Sequence, residues 1–149
     1  MKKYGILIRL TAVILLSACL CVPVLAAASQ PVAPRSSDYL TILGSDVCAK
    51  GGGKLQIWFT AAATNYMDEL GSTRIYLYES TDNVTFTRIA TFLADDYPNM
   101  ISYNDSFHSS YVSYQGTAGR YYKAYACIWA GKNGGGDARY TWSNSEYAT

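Results

Sequence analysis

The chain of 149 residues has one histidine, His108, and that scarcity already argues against most nucleophilic catalysis. A serine or cysteine nucleophile needs a base beside it. Ser106, Ser109 and Ser110 flank His108 in the run SFHSS, but closeness along a strand does not give reach across a site, so His108 reads as a surface residue. Charge is sparse as well, with 12 basic and 11 acidic residues making up 15% of the chain. Without clustered Lys and Arg there is no footprint for nucleic acid, whose binding depends on released counterions. Metal ligands are not spaced as a set. Asp95, Asp96, Asn99, Asn104 and Asp105 offer oxygen atoms but follow no defined calcium loop, and solvated turns account for them. Glu69, Glu79, Asp95, Asp96 and Asp105 would have to supply any pair of catalytic carboxylates, and a domain this small lacks the deep cleft that tunes such a pair. No cofactor is expected, and no stretch carries a convincing helical period.

What the chain does have begins at its first residues. Lys2, Lys3 and Arg9 precede an apolar run from Leu10 to Leu25, which Ala26, Ala27 and Ala28 close. This layout predicts a secretory signal peptide over residues 1–28, with a secreted product that keeps no stable membrane span. Two alternatives stay open. Leu16-Ser17-Ala18-Cys19 resembles a bacterial lipobox, which would anchor the protein by lipid through Cys19, and the apolar run is nearly long enough to span a bilayer uncleaved. Removal of residues 1–28 leaves nine basic against eleven acidic residues and two cysteines, Cys48 and Cys127. In an exported chain two cysteines are expected to pair. Closing a loop of about 80 residues would stabilise the fold by about 4.5 kcal/mol in the chain-entropy account.

Residues 29–37, SQPVAPRSS, read as a flexible lead-in to a single domain over 38–149. Short period-two runs then follow one another between turn residues. In KLQIWFTAAA, Leu55, Ile57, Phe59 and Ala61 share one face; in YYKAYACIWA, Tyr122, Ala124, Ala126 and Ile128 do. TNYMDELGS reads as a loop, Asp82-Asn83 as a turn, and ADDYPNMISYNDS as the longest irregular piece and the place for a functional loop. About seven strands result, the pattern of a single antiparallel β-sandwich in an all-β chain.

Two stretches resemble fibronectin type III and related immunoglobulin-like domains. YESTDNVTFTRIATF is similar to their middle hairpin, and TAGRYYKAYACIWAGKNGGGDARYTWSNSEY to their closing strands, a likeness that covers roughly residues 53–149. The resemblance implies a sandwich and a spacer, adhesion or recognition role rather than an activity. Tyr125-Ala126-Cys127 also resembles the Tyr-x-Cys of true immunoglobulin domains. Because Cys48 lies before Gly51-Gly52-Gly53, a fibronectin-like sandwich in which Cys48 and Cys127 tie the first segment to the penultimate strand is the expected form.

Aromatic residues are the one surplus. Thirteen tyrosines lie beyond residue 28, and Tyr76, Tyr78, Trp129, Tyr140 and Trp142 are candidate binding residues on an outward sheet face. Flat rings give large contact area for few frozen rotors. Tyrosine is also simply a good strand residue, so the same rings fit a structural role. The expected function is a secreted, non-enzymatic module that binds a glycan or an extracellular protein. A disulfide-stabilised structural protein without a discrete ligand is the alternative, and a small hydrolase ranks last. The Lys-Lys start and the lipobox-like run point to a bacterial source, in which the sequons at Asn83 and Asn104 carry no glycan.

Overall fold

A computed structural model describes residues 39–149. The expected signal peptide, Cys19 and the expected lead-in lie outside the described residues. The chain runs β1 (Leu40–Ala49), β2 (Lys54–Ser80), β3 (Thr87–Leu93), a short 3-10 turn (Pro98–Met100), β4 (Ile101–Gln115), β5 (Tyr121–Lys132), β6 (Gly135–Trp142) and β7 (Glu146–Tyr147). All pairings are antiparallel, and all seven strands belong to one sheet, curled into a half-barrel. The all-β reading holds in this form.

β2 organises the sheet. On one edge it pairs first with β1 and then with β5; on the other it pairs with β4 and then with β3. The expected loop TNYMDELGS is therefore a correction: it is strand, and it joins two expected strands into one of 27 residues. Its polar residues hid two anchors, Met67 and Leu70, which are buried in the core. Register shifts between Ala62 and Met67 and between Ser72 and Arg74 let the strand bend there. The expected irregular piece also shrinks, because β4 starts at Ile101 and pairs through Tyr103 and Asp105 with β2.

The concave side is the core. Leu55, Ile57, Phe59 and Ala61 of β2 meet Ile75 and Leu77 from its far end and Tyr122, Ala124, Ala126, Ile128 and Ala130 of β5. Period-two burial along both strands puts these side chains on one face, and strand twist with the irregularities of β2 curls the sheet around them. Asn133 and Gly134, both at positive φ, form a two-residue turn between β5 and β6.

The expected disulfide is corrected as well, since Cys48 and Cys127 are both free. The ladders separate them: Cys48 pairs with Gln56 near the start of β2, whereas Cys127 pairs with Arg74 near its end and with Tyr140 of β6. The Cys48 thiol points at Asp46 Oδ2, 3.7 Å away. Partial burial, then the Asp46 charge, raises its pKa, so the thiolate needed for oxidation is scarce at neutral pH. Peptide mapping of alkylated, non-reduced protein is expected to recover Cys48 and Cys127 as separate alkylated peptides. A cross-linked pair would overturn this assignment.

The turn from β2 to β3 is tied by Asp82. Its Oδ1 accepts the amides of Thr85 at 2.8 Å and Val84 at 2.9 Å and the hydroxyl of Ser80 at 2.8 Å. These donors, the Thr85 amide first, hold the carboxyl down from its ordinary 3.8 to about 2. A folded pKa below the unfolded one means the stabilisation is complete above the unfolded value and is lost as pH falls through the folded one. The stability gap between the native protein and Asp82→Ala should thus be flat from neutral pH to about 4 and close between about 4 and 2. Urea denaturation at stepped pH measures it, and a gap that persists at pH 2 would sink the account.

Candidate functional site

The convex side of β2, β3, β5 and β6 carries the aromatic residues. Because Ile75, Leu77, Ala124 and Ala126 point into the core, their neighbours in sequence must point out. Strand register then sets three outward rows. Tyr76 of β2 lies opposite Tyr125 of β5, which lies opposite Trp142 of β6. Arg74, Cys127 and Tyr140 form the row on one side of it, and Tyr78 with Lys123 and, on β3, Arg88 the row on the other.

The rings in these rows touch. Tyr125 stacks against Trp142 with centroids 4.4 Å apart and planes 28° apart, and against Tyr140 at 5.2 Å and 22°. Tyr78 packs on Trp142 at 5.1 Å. Offset stacks of this kind fix ring orientation and contribute about 0.5–1.5 kcal/mol per pair beyond area burial. The outer rings stay open: Tyr140 is 53% and Trp142 48% exposed.

Cations border the rings. Lys123 Nζ sits 4.0 Å from the Phe86 ring centre and 4.7 Å from that of Trp142, and Arg88 lies 5.1 Å above Tyr76. Arg74 Nη1 donates to the Tyr76 hydroxyl at 3.1 Å, a bond that raises the guanidinium pKa further and keeps it charged. Across the ladder from Tyr140 stands the buried Cys127, whose thiol is the first cause that raises the Tyr140 pKa. Tyr140 is therefore a neutral ring at physiological pH.

Four of the five expected binding residues, Tyr76, Tyr78, Tyr140 and Trp142, come together here. Trp129 shares the side but is set apart. Its indole Nε1 donates to Glu69 Oε2 at 3.1 Å, and the ring lies flat over Gly131 and Gly136, where a Cβ on Gly136 would approach it to 1.9 Å. The glycine-rich hairpin is thus a seat for Trp129. With Asp68, Glu69 and Lys132 the ring lines a separate hollow of about 300 Å³. Tyr125, at the centre of the stack, was legible from its alternation with Ala124 and Ala126, as were Arg74 and Lys123 from theirs; Phe86 and Arg88 were not, since a bulge between Leu77 and Tyr78 sets the β3 register.

No family model and no curated protein sequence matches this chain. Among solved structures, a family 76 glycoside hydrolase from a bovine Bacteroides thetaiotaomicron strain is similar over 74% of this chain at 16% identity and a TM-score of 0.32. The chain spans 20% of that protein. So distant a likeness assigns neither fold nor activity.

Other groups weighed in the sequence lie elsewhere. His108 Nε2 bonds to the Asn99 carbonyl oxygen at 2.9 Å and its ring packs edge-on to Phe59 at 5.4 Å. Asn99 donates to the Ser110 hydroxyl and the Tyr111 carbonyl, and Asp105 accepts the amides of Ser106 and Phe107 in its own turn. Glu79 accepts the Tyr122 hydroxyl, and Glu69 holds Trp129. Among the described residues, no three His, Cys, Asp or Glu side chains converge as a metal site. A groove of about 370 Å³ runs between Lys50, Lys54, Leu55, Gln56, Tyr114 and Gln115, apart from the aromatic face.

Proposed function

We propose that this chain is a secreted, non-enzymatic module that binds a glycan through the convex aromatic face of β2, β5 and β6. The carrying observation is the stack Tyr140–Tyr125–Trp142, whose outer rings are about half exposed while fixed in orientation by the ring between them. Stacked rings held by one another lose little freedom on binding, and a pyranose face needs a flat, fixed surface. Export rests on the N-terminal layout. We also propose kinship with fibronectin-like sandwiches, supported by the Tyr122 hydroxyl that accepts the Thr117 amide five residues upstream at 2.7 Å, as a tyrosine corner does.

Titration of the purified protein with soluble polysaccharides, followed by tryptophan fluorescence, tests the reading. A saturable shift is expected, lost in Trp142→Ala and kept in Trp58→Phe. Trp58 packs at a tilt against Tyr111 on the β2–β4 pair, outside the rows of the candidate face. A response lost through Trp58 instead would move the site. A flat response across the panel would favour a protein partner or a structural role.

A further inference from the structure

The cations of the aromatic face narrow the ligand. Arg74, Arg88 and Lys123 all stand in its outward rows, and no carboxylate occupies any position of those rows. Of the described residues, only Arg139 and Asp137 form an ion pair, at 3.7 Å. The three cations are thus held beside rings, not neutralised by acids. That is a local excess of positive charge on a mature chain expected to carry more acidic than basic residues.

Ring quadrupoles fix where these charges sit while leaving most of their N–H donors pointed at solvent. Arg74 spends one donor on Tyr76; a guanidinium has five, in a fork that matches a carboxylate. A neutral sugar would offer these donors only hydroxyl oxygens, whereas a sugar carrying a carboxylate could stack its ring on Trp142 or Tyr140 and place the charge between Lys123 and Arg88 or against Arg74, in the stronger charge-assisted bonds. Three cations are few for a nucleic acid, which binds through longer basic tracks.

Resting on the glycan reading above, we infer that the ligand is a polysaccharide of uronic-acid type, its carboxylates received by Arg74, Arg88 and Lys123. The probe is polygalacturonate, with its fully methyl-esterified form as a partner that keeps the backbone and loses the charge. Fluorescence titration should give at least tenfold tighter binding to the acid form at low salt, the order expected of hydrogen bonds to charged groups, and the gap should shrink at about 0.5 M salt. The double variant R88Q/K123Q should lose most of the preference, through weaker binding of the acid form. Equal binding of both forms overturns this inference and leaves the glycan module standing. Tighter binding of dextran sulfate or of a single-stranded oligonucleotide overturns the assignment to carboxylates. No binding of either galacturonate form, together with a flat response to neutral glycans, overturns the inference and the module alike.

Discussion

Gly71→Ala is expected to destabilise the protein by about 3 kcal/mol or more, the sum of overpacking and backbone strain. Gly71 sits in the bend of β2, where Ile101 of β4 pairs with it on one edge and Trp129 of β5 on the other. A Cβ there would stand 2.0 Å from the Met100 carbonyl oxygen and 3.0 Å from Ile101 Cα. Both are backbone atoms, so no side chain can swing aside. The φ of 154° adds a conformation that residues with a Cβ rarely adopt. Relief would require β4 or β5 to detach from the bend, and with it the cover over Leu70 and Met100. Gly52→Ala is the control: its φ is 60°, but open space surrounds it, so only the left-handed penalty of about 1–2 kcal/mol applies. Denaturant midpoints of the two variants decide the matter. If Gly71→Ala is no worse than Gly52→Ala, the close approach at the bend is not what the structure shows.

The same bend marks where sequence reasoning stopped. Alternation alone placed Leu55, Ile57, Phe59 and Ala61 on one face and Tyr122, Ala124, Ala126 and Ile128 on another, and these are core residues. Such patterns are local, so a sequence exposes them. Residues 64–72 carry Asn65, Asp68, Glu69 and Gly71, which locally favour a turn. They are strand because β4 and β5, about 30 and 60 residues later in the chain, supply partners on both edges, and no local signal reports that. The count of seven strands agreed for an accidental reason, two expected strands having merged while β7 was added. Cysteine arithmetic failed differently: it rests on compartment, whereas pairing depends on Cα positions that the ladders keep with other neighbours. The binding residues were legible as types on alternating positions. Their arrangement into a stack needed the β5–β6 register, which the Asn133-Gly134 turn fixes.

Tyr122→Ala should cost about 3–5 kcal/mol, as truncation of a buried aromatic ring does, and Tyr122→Phe about 1–3 by stranding polar groups. Tyr122 is fully buried, and its hydroxyl donates to Glu79 Oε2 at 2.6 Å while it accepts the Thr117 amide at 2.7 Å. Burial, then the bond to Glu79, raises the phenol pKa, so it remains a donor at every pH the protein meets. What makes the loss large is where the ring stands. Gly116 presses on it so closely that a Cβ would reach the phenol at 2.8 Å. Through Gly116 two turns and the C-terminal residues are linked in series: the Gly116 amide donates to the Gly53 carbonyl, the Gly53 amide to that of Thr149, and the Ala148 amide to that of Arg120. The phenol thus holds the β4–β5 turn, the β1–β2 turn and the C-terminal residues to the end of the core. Hydrogen exchange should accelerate at Gly53, Gly116 and Ala148 in Tyr122→Phe before it does in the centre of β2. A double-mutant cycle with Glu79→Gln separates the carboxylate bond from the amide bond, with coupling of about 1 kcal/mol expected. Tyr103→Phe, on a ring 71% exposed, should stay within about 0.5 kcal/mol of the native protein. Were Tyr122→Phe equally mild, the hydroxyl would be a bystander and these turns would be held by backbone bonds alone.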